Sequence, residues 1–271
     1  MTGPATAHLE GLDFAADAFQ RDAAAAIDAG RSVVVTAPTG AGKTIVAESA
    51  IARALASGRR AFYTTPIKAL SNQKFGDLRA AHGDHRVGLL TGDNSINGTA
   101  PIVVMTTEVL RNMMYADSPD LEDVAVAVLD EVHYLQDRAR GAVWEEIIIH
   151  LDRTVQLVCL SATIANPTEF AAWVETRRGP TTLVVETERP VPLESTYLIR
   201  DTWEGNRLRL MPVFDTRGRP NPRLESMTSA GGRRARRYAT PRRFETCEML
   251  ADRGLLPAIF FIFSRAGCEA A

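Results

Sequence analysis

Three features of this sequence predict an α/β fold built on a mostly parallel sheet with helices on both faces. Short runs rich in Val, Ile and Leu alternate with longer helical patterns, the rhythm of strands joined by crossover helices. A glycine-rich turn, "TAPTGAGKT" (36–44), joins one such run to a helix. Another run, "VAVAVL" (124–129), reads as buried on both faces yet stops on two adjacent acids, Asp130 and Glu131. Ligands in open parallel sheets gather at the carboxyl ends of the strands.

The elements follow in order. An alanine-rich helical stretch over 14–30 ends on Gly30, a common helix stop, and gives way to the strand "RSVVVTA". After the glycine-rich turn comes a helix over 43–57, closed by Gly58. Strands are then expected in "RRAFYTT", "RVGLL", "PIVVMTT", "VAVAVLDE", "VQLVCLSAT" and "TTLVVET". Helices are expected in "PIKALSNQKFGDLRAA", "EVLRNMMY", "GAVWEEIIIHL" and "NPTEFAAWVE". Beyond "ERPVPLESTYLI" the pattern breaks, and 200–241, rich in Arg, Gly, Pro and Ser, reads as a linker or mobile insertion. The tail from Phe244, containing "AIFFIF", restarts helix, strand and helix and reads as the opening of a second domain. The expected organisation is a first domain over 1–190, a connecting strand and Arg-rich linker over 191–243, and the start of a second domain over 244–271.

Charge is unevenly spread. The net charge is −2, but between Arg200 and Arg243 twelve arginines face four acids, leaving the rest of the chain strongly acidic. That segment could bind phosphate backbone without sequence preference or be a solvated linker. Lysine occurs only at Lys43, Lys68 and Lys74, so each lysine merits a role. The three cysteines, Cys159, Cys247 and Cys268, are odd in number and widely spaced, which suits neither a disulfide framework nor a zinc site. Apolar runs fall far short of the ~18 residues of a membrane span, and no signal core opens the chain. A cytoplasmic protein without a membrane partner is expected.

The glycine-rich turn has the context of a phosphate-binding loop, because it follows a strand and opens a helix. Gly40 and Gly42 lack a Cβ, so the loop of Ala37, Pro38, Thr39, Gly40, Ala41 and Gly42 can close its backbone amides, Pro38 having none to offer, around an anion at a helix amino terminus. Lys43 is placed to reach the β- and γ-phosphates of ATP, and the Thr44 hydroxyl to ligate Mg2+. Ala37 stands where the usual pattern has its first glycine, which is tolerable if that position needs no positive φ. A cation also accounts for the paired acids, since two carboxylates at a buried strand end repel each other without one. Asp130 is then a metal ligand, and Glu131 a metal neighbour and the base that orients the attacking water. The same acids could instead open a charged helix.

"APTGAGKT", "DEVH" (130–133) and "SAT" (161–163), in this order, resemble the motifs of superfamily 2 helicases of the DExH type. "TPIKALSNQKF" (65–75), "TGD" (91–93), "MTTEVLRNM" (105–113), "SATIANPTEFAAW" (161–173) and "RPVPLE" (189–194) sharpen the resemblance to the superkiller/exosome-cofactor branch. It implies a RecA-like P-loop NTPase fold and ATP-driven translocation on a single strand, most readily RNA, with a repair-type DNA helicase or a nucleotide-gated binding module as the alternatives. It also implies that Gln20 contacts adenine, with Phe14 and Phe19 nearby, and that His133, Ser161 and Thr163 couple the ATP site to the nucleic acid. Pro66, Lys68, Ser71, Asn72, Lys74, Thr106, Thr107 and Arg111 become the nucleic-acid contacts. Donors of these types suit phosphate positioning and not base reading. Without the resemblance, Lys68 and Lys74 are ordinary helix-face lysines, Thr107 is a helix N-cap, and the strand-end hydroxyls cap the next helix. A nuclease or RNA-decay partner is implied by the family alone. Because the family resembles other helicases in placing arginine fingers on a second motor domain, this chain by itself is expected to hydrolyse ATP poorly.

Overall fold

The computed structural model describes residues 2–138, 140–162, 164–228 and 237–269. They form two compact units, Met1–Val191 and Pro192–Ala271. The first is built on eight strands: β1 (Ser32–Thr36), β2 (Arg60–Thr65), β3 (Val87–Leu90), β4 (Ser95–Ile96), β5 (Ile102–Thr106), β6 (Val124–Leu129), β7 (Gln156–Ser161) and β8 (Thr181–Val185). Their order is β4-β3-β5-β2-β6-β7-β1-β8. Every neighbouring pair is parallel except β3–β4.

Burial on both faces explains why the strands read as continuous apolar runs. In β1, Val33 and Val35 join one core layer and Val34 the other; in β6, Val126 and Val128 oppose Ala127 and Leu129 in the same way. This is the period-two alternation of a strand, with an apolar residue required at every position. The first layer is covered by α1 (Pro4–Glu10), α2 (Ala18–Asp28), α3 (Lys43–Ala56) and α4 (Lys68–His82). The second lies under α5 (Thr107–Tyr115), α6 (Gly141–His150) and α7 (Pro167–Arg178), with Trp144, Ile147 and Ile148 fully buried.

Helix α1 has no counterpart among the sequence expectations. It is short, and it is held from outside itself: the Asp28 carboxylate accepts from the Ala5 and Thr6 amides, each at 2.9 Å, and from the Thr6 hydroxyl at 2.7 Å. The alanine-rich helix begins at Ala18 and not at Phe14.

The second unit departs further from expectation. Residues 200–241 are not a structureless linker throughout: β9 (Thr196–Asp201) and β10 (Arg207–Pro212) form an antiparallel hairpin, and β11 (Tyr238–Ala239) pairs with β9 on its other side. The arginines concealed this, because Arg200, Arg209 and Arg237 are engaged in ion pairs with acids of the same unit. Asp201 is fully buried, with Arg237 gripping it through Nε and Nη2 at 2.9 and 2.6 Å and Arg209 at 3.4 Å. Residues 229–236, the most arginine-dense stretch of the expected linker, lie outside the described residues. Helices α8 (Pro222–Thr228), α9 (Arg243–Asp252) and α10 (Arg265–Glu269) complete the unit. The strand expected in "AIFFIF" is not formed. A strand needs a ladder partner, none of the described residues pairs with this segment, and Ile259 and Phe263 stand 81% and 96% exposed. Among the described residues no helix is long and apolar enough to cross a membrane.

Candidate nucleotide site and nucleic-acid groove

The phosphate-type loop links β1 to α3. Gly40 and Gly42 take φ of 88° and 86°, the left-handed region that glycine alone enters without penalty. Ala37 does not take a positive φ, so alanine is no handicap there, and its amide donates to the Ser161 carbonyl at 3.1 Å, continuing the β1–β7 ladder. Pro38 and Ala41 are buried and Thr39 is exposed. Lys43 folds back into the loop, with Nζ donating to the carbonyls of Ala37 at 2.8 Å and Pro38 at 3.2 Å. Burial lowers its pKa, while Glu131 and Asp130 pull it the other way. The two acids therefore lie within electrostatic reach of the loop lysine.

Gln20 is almost wholly buried. Its Oε1 accepts from the Asp17 amide at 2.9 Å and its Nε2 donates to the Gly42 carbonyl at 3.2 Å, tying α2 to the loop. A cavity of about 440 Å3 opens beside it, walled by Phe14, Gln20, Gly42 and Ile45 on one side and by Glu188 and Pro190 on the other. Phe14 is exposed at the mouth and Phe19 is buried behind it. The wall after β8 was not foreseen as part of this site, although Arg189 and Pro190 belong to the "RPVPLE" stretch that carries the family resemblance.

Asp130 and Glu131 follow β6, which is separated from β1 by β7. Glu131 is not the start of an ordinary helix. It takes φ 53°, ψ 43°, a left-handed conformation uncommon for a side-chain-bearing residue, and a single 3-10 turn, Val132–Gln136, follows. Strained backbone of this kind concentrates at functional sites. Asp130 Oδ1 accepts from the Glu131 amide at 2.9 Å, and Oδ2 from the Tyr63 hydroxyl at 2.7 Å. Burial and then Asp130 raise the Glu131 pKa against the pull of His133, Lys43 and Lys74. His133 Nδ1 lies 3.3 Å from Glu131 Oε2. Tyr63 was missed in the sequence. The available signal was a tyrosine inside an otherwise apolar buried strand, whose hydroxyl must find a partner.

Thr44, Asp130 and Glu131 offer only hard oxygen donors, the set that Mg2+ prefers. Among the described residues no group of three or more His, Cys, Asp or Glu side chains forms a metal cage. A divalent ion here would thus draw on nucleotide phosphates for part of its shell, as Mg2+ does in phosphoryl-transfer sites.

The expected nucleic-acid contacts line the same carboxyl edge, two strands along. They follow β2 and β5, which pair with Thr65 opposite Thr106. Lys68 and Asn72 are exposed, Thr106 and Arg111 half-exposed. Lys68 pairs with Asp93, and Arg111 lies 3.8 Å from Glu146. Three others do not present their side chains. Pro66 is buried, its carbonyl accepting from Arg140 at 3.3 Å. Ser71 and Thr107 are completely buried: their hydroxyls meet Thr65 Oγ1 at 2.7 Å and the Thr65 carbonyl at 3.0 Å. Ser71 ties α4 to the end of β2 and Thr107 ties the start of α5 to it, and Thr107 is the first residue of α5, its N-cap being Thr106. Lys74 departs most, for its Nζ donates to Thr44 Oγ1 at 2.9 Å and so belongs to the nucleotide side.

Ser161 ends β7, between the loop and the acids, with its hydroxyl buried and without a hydrogen-bond partner among the described residues. It does not cap α7, whose N-cap is Asn166. Thr163, its expected companion, lies outside the described residues.

Comparison with known proteins agrees with this geometry. The family described as DEAD/DEAH box helicase matches residues 17–170. The "Probable helicase HelY" of Mycobacterium tuberculosis is 49% identical over 96% of this chain and 30% of its own length. The human "Exosome RNA helicase MTR4" is 41% identical over 95% of this chain and 25% of its own. The chain thus spans about a third or less of the curated relatives it matches. Among solved structures, the DUF1998 helicase MrfA bound to DNA and AMPPNP superimposes with a TM-score of 0.57 at 26% identity, covering 69% of this chain and 29% of that one. A matched segment that carries both the phosphate-type loop and the DEVH turn, on a parallel sheet of RecA-like order, makes this chain a member of the DEAD/DEAH box helicase family.

Proposed function

We propose that this chain supplies the first motor domain, roughly residues 1–190, of a helicase that couples Mg2+-dependent ATP hydrolysis to movement along a single strand, with RNA as the favoured substrate. The observation that supports the reading is that two sets of residues share one sheet edge. The ends of β1, β7 and β6 carry the loop, Ser161 and the acids, and the adjoining ends of β2 and β5 lead into the residues proposed to contact the strand. Binding at one site and bond breaking at the other can then share a rigid frame. RNA is favoured because relatives such as MTR4 carry RNA helicase in their names, whereas the MrfA structure contains DNA.

In this reading Lys43 and the loop amides bind the phosphates, and Thr44 and Asp130 hold the ion. An ion held there would supply positive charge that offsets the charge of the phosphates. Glu131 takes the proton of the attacking water, and burial with a neighbouring carboxylate makes it a better base by raising its pKa. His133, 3.3 Å from Glu131, and Ser161 relay the state of the nucleotide toward the groove. Lys68, Asn72, Thr106 and Arg111 hold the strand backbone there, while Pro66, Ser71 and Thr107 shape the groove from behind. Residues 244–271 open a second motor domain, and the protein works in the cytoplasm.

The test is ATP hydrolysis and strand displacement on tailed RNA and DNA duplexes by the full-length protein. RNA should stimulate hydrolysis more than DNA, and Glu131→Gln should abolish turnover while nucleotide still binds. Failure of both nucleic acids to stimulate hydrolysis would sink the reading.

A further inference from the structure

Lys74 is one of only three lysines in the sequence, and its position is not that of a surface helix lysine. Lys68 and Asn72, earlier on α4, are exposed, but Lys74 is half-buried. Its ammonium lies 2.9 Å from Thr44 Oγ1 and 6.0 Å from the centre of the Tyr63 ring. The Tyr63 hydroxyl in turn donates to Asp130 Oδ2 at 2.7 Å. A single positive charge therefore stands on the hydroxyl of one proposed ion ligand and over the ring bonded to the other. Crossing an aromatic face is common for a lysine stem. Packing alone, though, does not account for an ammonium seated on the one hydroxyl that follows the loop lysine.

We propose that Lys74 is a positioning residue of the nucleotide site: a built-in monovalent cation that holds the Thr44 hydroxyl when no divalent ion is present and yields that oxygen when one arrives. The inference rests on the nucleotide-site reading. The hydroxyl oxygen that accepts the ammonium proton is the same oxygen that a metal would need. Two cations cannot share it, because like charges a few ångströms apart repel strongly in a partly buried site. Lys74 therefore opposes the ion and, for the same reason, attracts nucleotide phosphates when the ion is missing. The consequence is a site that tolerates metal-free nucleotide better than the loop lysine alone would allow.

The test is a titration of this chain with mant-ATP, once in EDTA and once with saturating Mg2+, read as the ratio of the two affinities. Lys74→Met should weaken binding in EDTA and strengthen the response to Mg2+, widening the ratio by roughly tenfold, the scale of one partly screened charge interaction. Lys74→Gln, which keeps a donor for Thr44 but no charge, should widen it likewise, and Lys74→Arg should restore the wild-type ratio. An unchanged ratio in both neutral variants overturns the inference. If Lys43→Ala abolishes binding in that same experiment, the nucleotide-site reading survives the loss. If the unaltered chain binds no mant-ATP under either condition, the reading and the inference fall together.

Discussion

At the scale of single residues, the site depends on side chains whose polar atoms are already committed. Tyr63 is the clearest case. Its hydroxyl is buried with a carboxylate as its partner, and burial followed by Asp130 pushes its pKa well above the usual tyrosine range. Tyr63→Phe leaves Asp130 Oδ2 without this donor, and the cost should be about 1–3 kcal/mol, measured as a shift in the urea midpoint at constant slope. Gln20 behaves similarly, since both ends of its amide are engaged. Gln20→Ala should lower mant-ATP affinity by several-fold and leave the fold intact, because the side chain braces the loop and does not fill the core. A variant with unchanged affinity would mean that Gln20 is only the polar face of α2.

At the scale of elements, the small antiparallel sheet is anchored on the buried acid Asp201, with the more exposed Glu204 sharing its arginines. Arg237, by hydrogen bonding, keeps the Asp201 carboxyl below the usual aspartate range. A carboxylate with a depressed pKa in the folded state contributes stability above its unfolded value, about 3.9, and loses it as pH falls through the folded value. The β9–β10–β11 sheet should therefore loosen in acid below about pH 4. Trp203, 5.7 Å from the Arg237 guanidinium, should report this by fluorescence. Asp201→Asn should make the sheet loose at neutral pH and erase the acid step.

The same elements show what could be read from sequence. The eight-strand unit was legible in its central strands because β1, β2, β5, β6 and β7 are buried on two faces, and such runs advertise themselves by composition alone, whereas the exposed two-residue β4 was not expected. The β9–β10 hairpin was hidden because Arg200, Arg207 and Arg209 interrupt its apolar alternation, and an arginine with an acid partner looks, in sequence, like one in water. "AIFFIF" misled in the opposite sense: apolar composition signals strand potential, while a strand also requires a neighbour. The loop and the DEVH acids were found by motif and context. The role of Lys74 was not, since helix spacing gives the face of a residue but not which of two adjoining sites that face overlooks.

At the scale of the whole molecule, nucleotide and strand are proposed to meet one sheet along one edge, and surface charge there will tune both. Lys68 is paired with the exposed Asp93, so a phosphate must compete with a carboxylate already in place. Asp93→Asn should tighten single-stranded RNA binding by a few-fold at low salt, with the gain shrinking as salt rises. Filter binding over a salt series reads both effects. Tighter binding that ignored salt would point to a rearranged loop instead.

The position of β7 has one more consequence. Because it lies between β6 and β1, the loop and the acids are held two strand spacings apart, roughly 10 Å. The sheet thus acts as a gauge block: its ladder hydrogen bonds fix the width of the slot into which phosphates and ion must fit. Ser161, small and on the middle strand, with its hydroxyl unpartnered among the described residues, leaves the floor of that slot clear. A bulkier residue there would jam the gauge without touching either the loop or the acids.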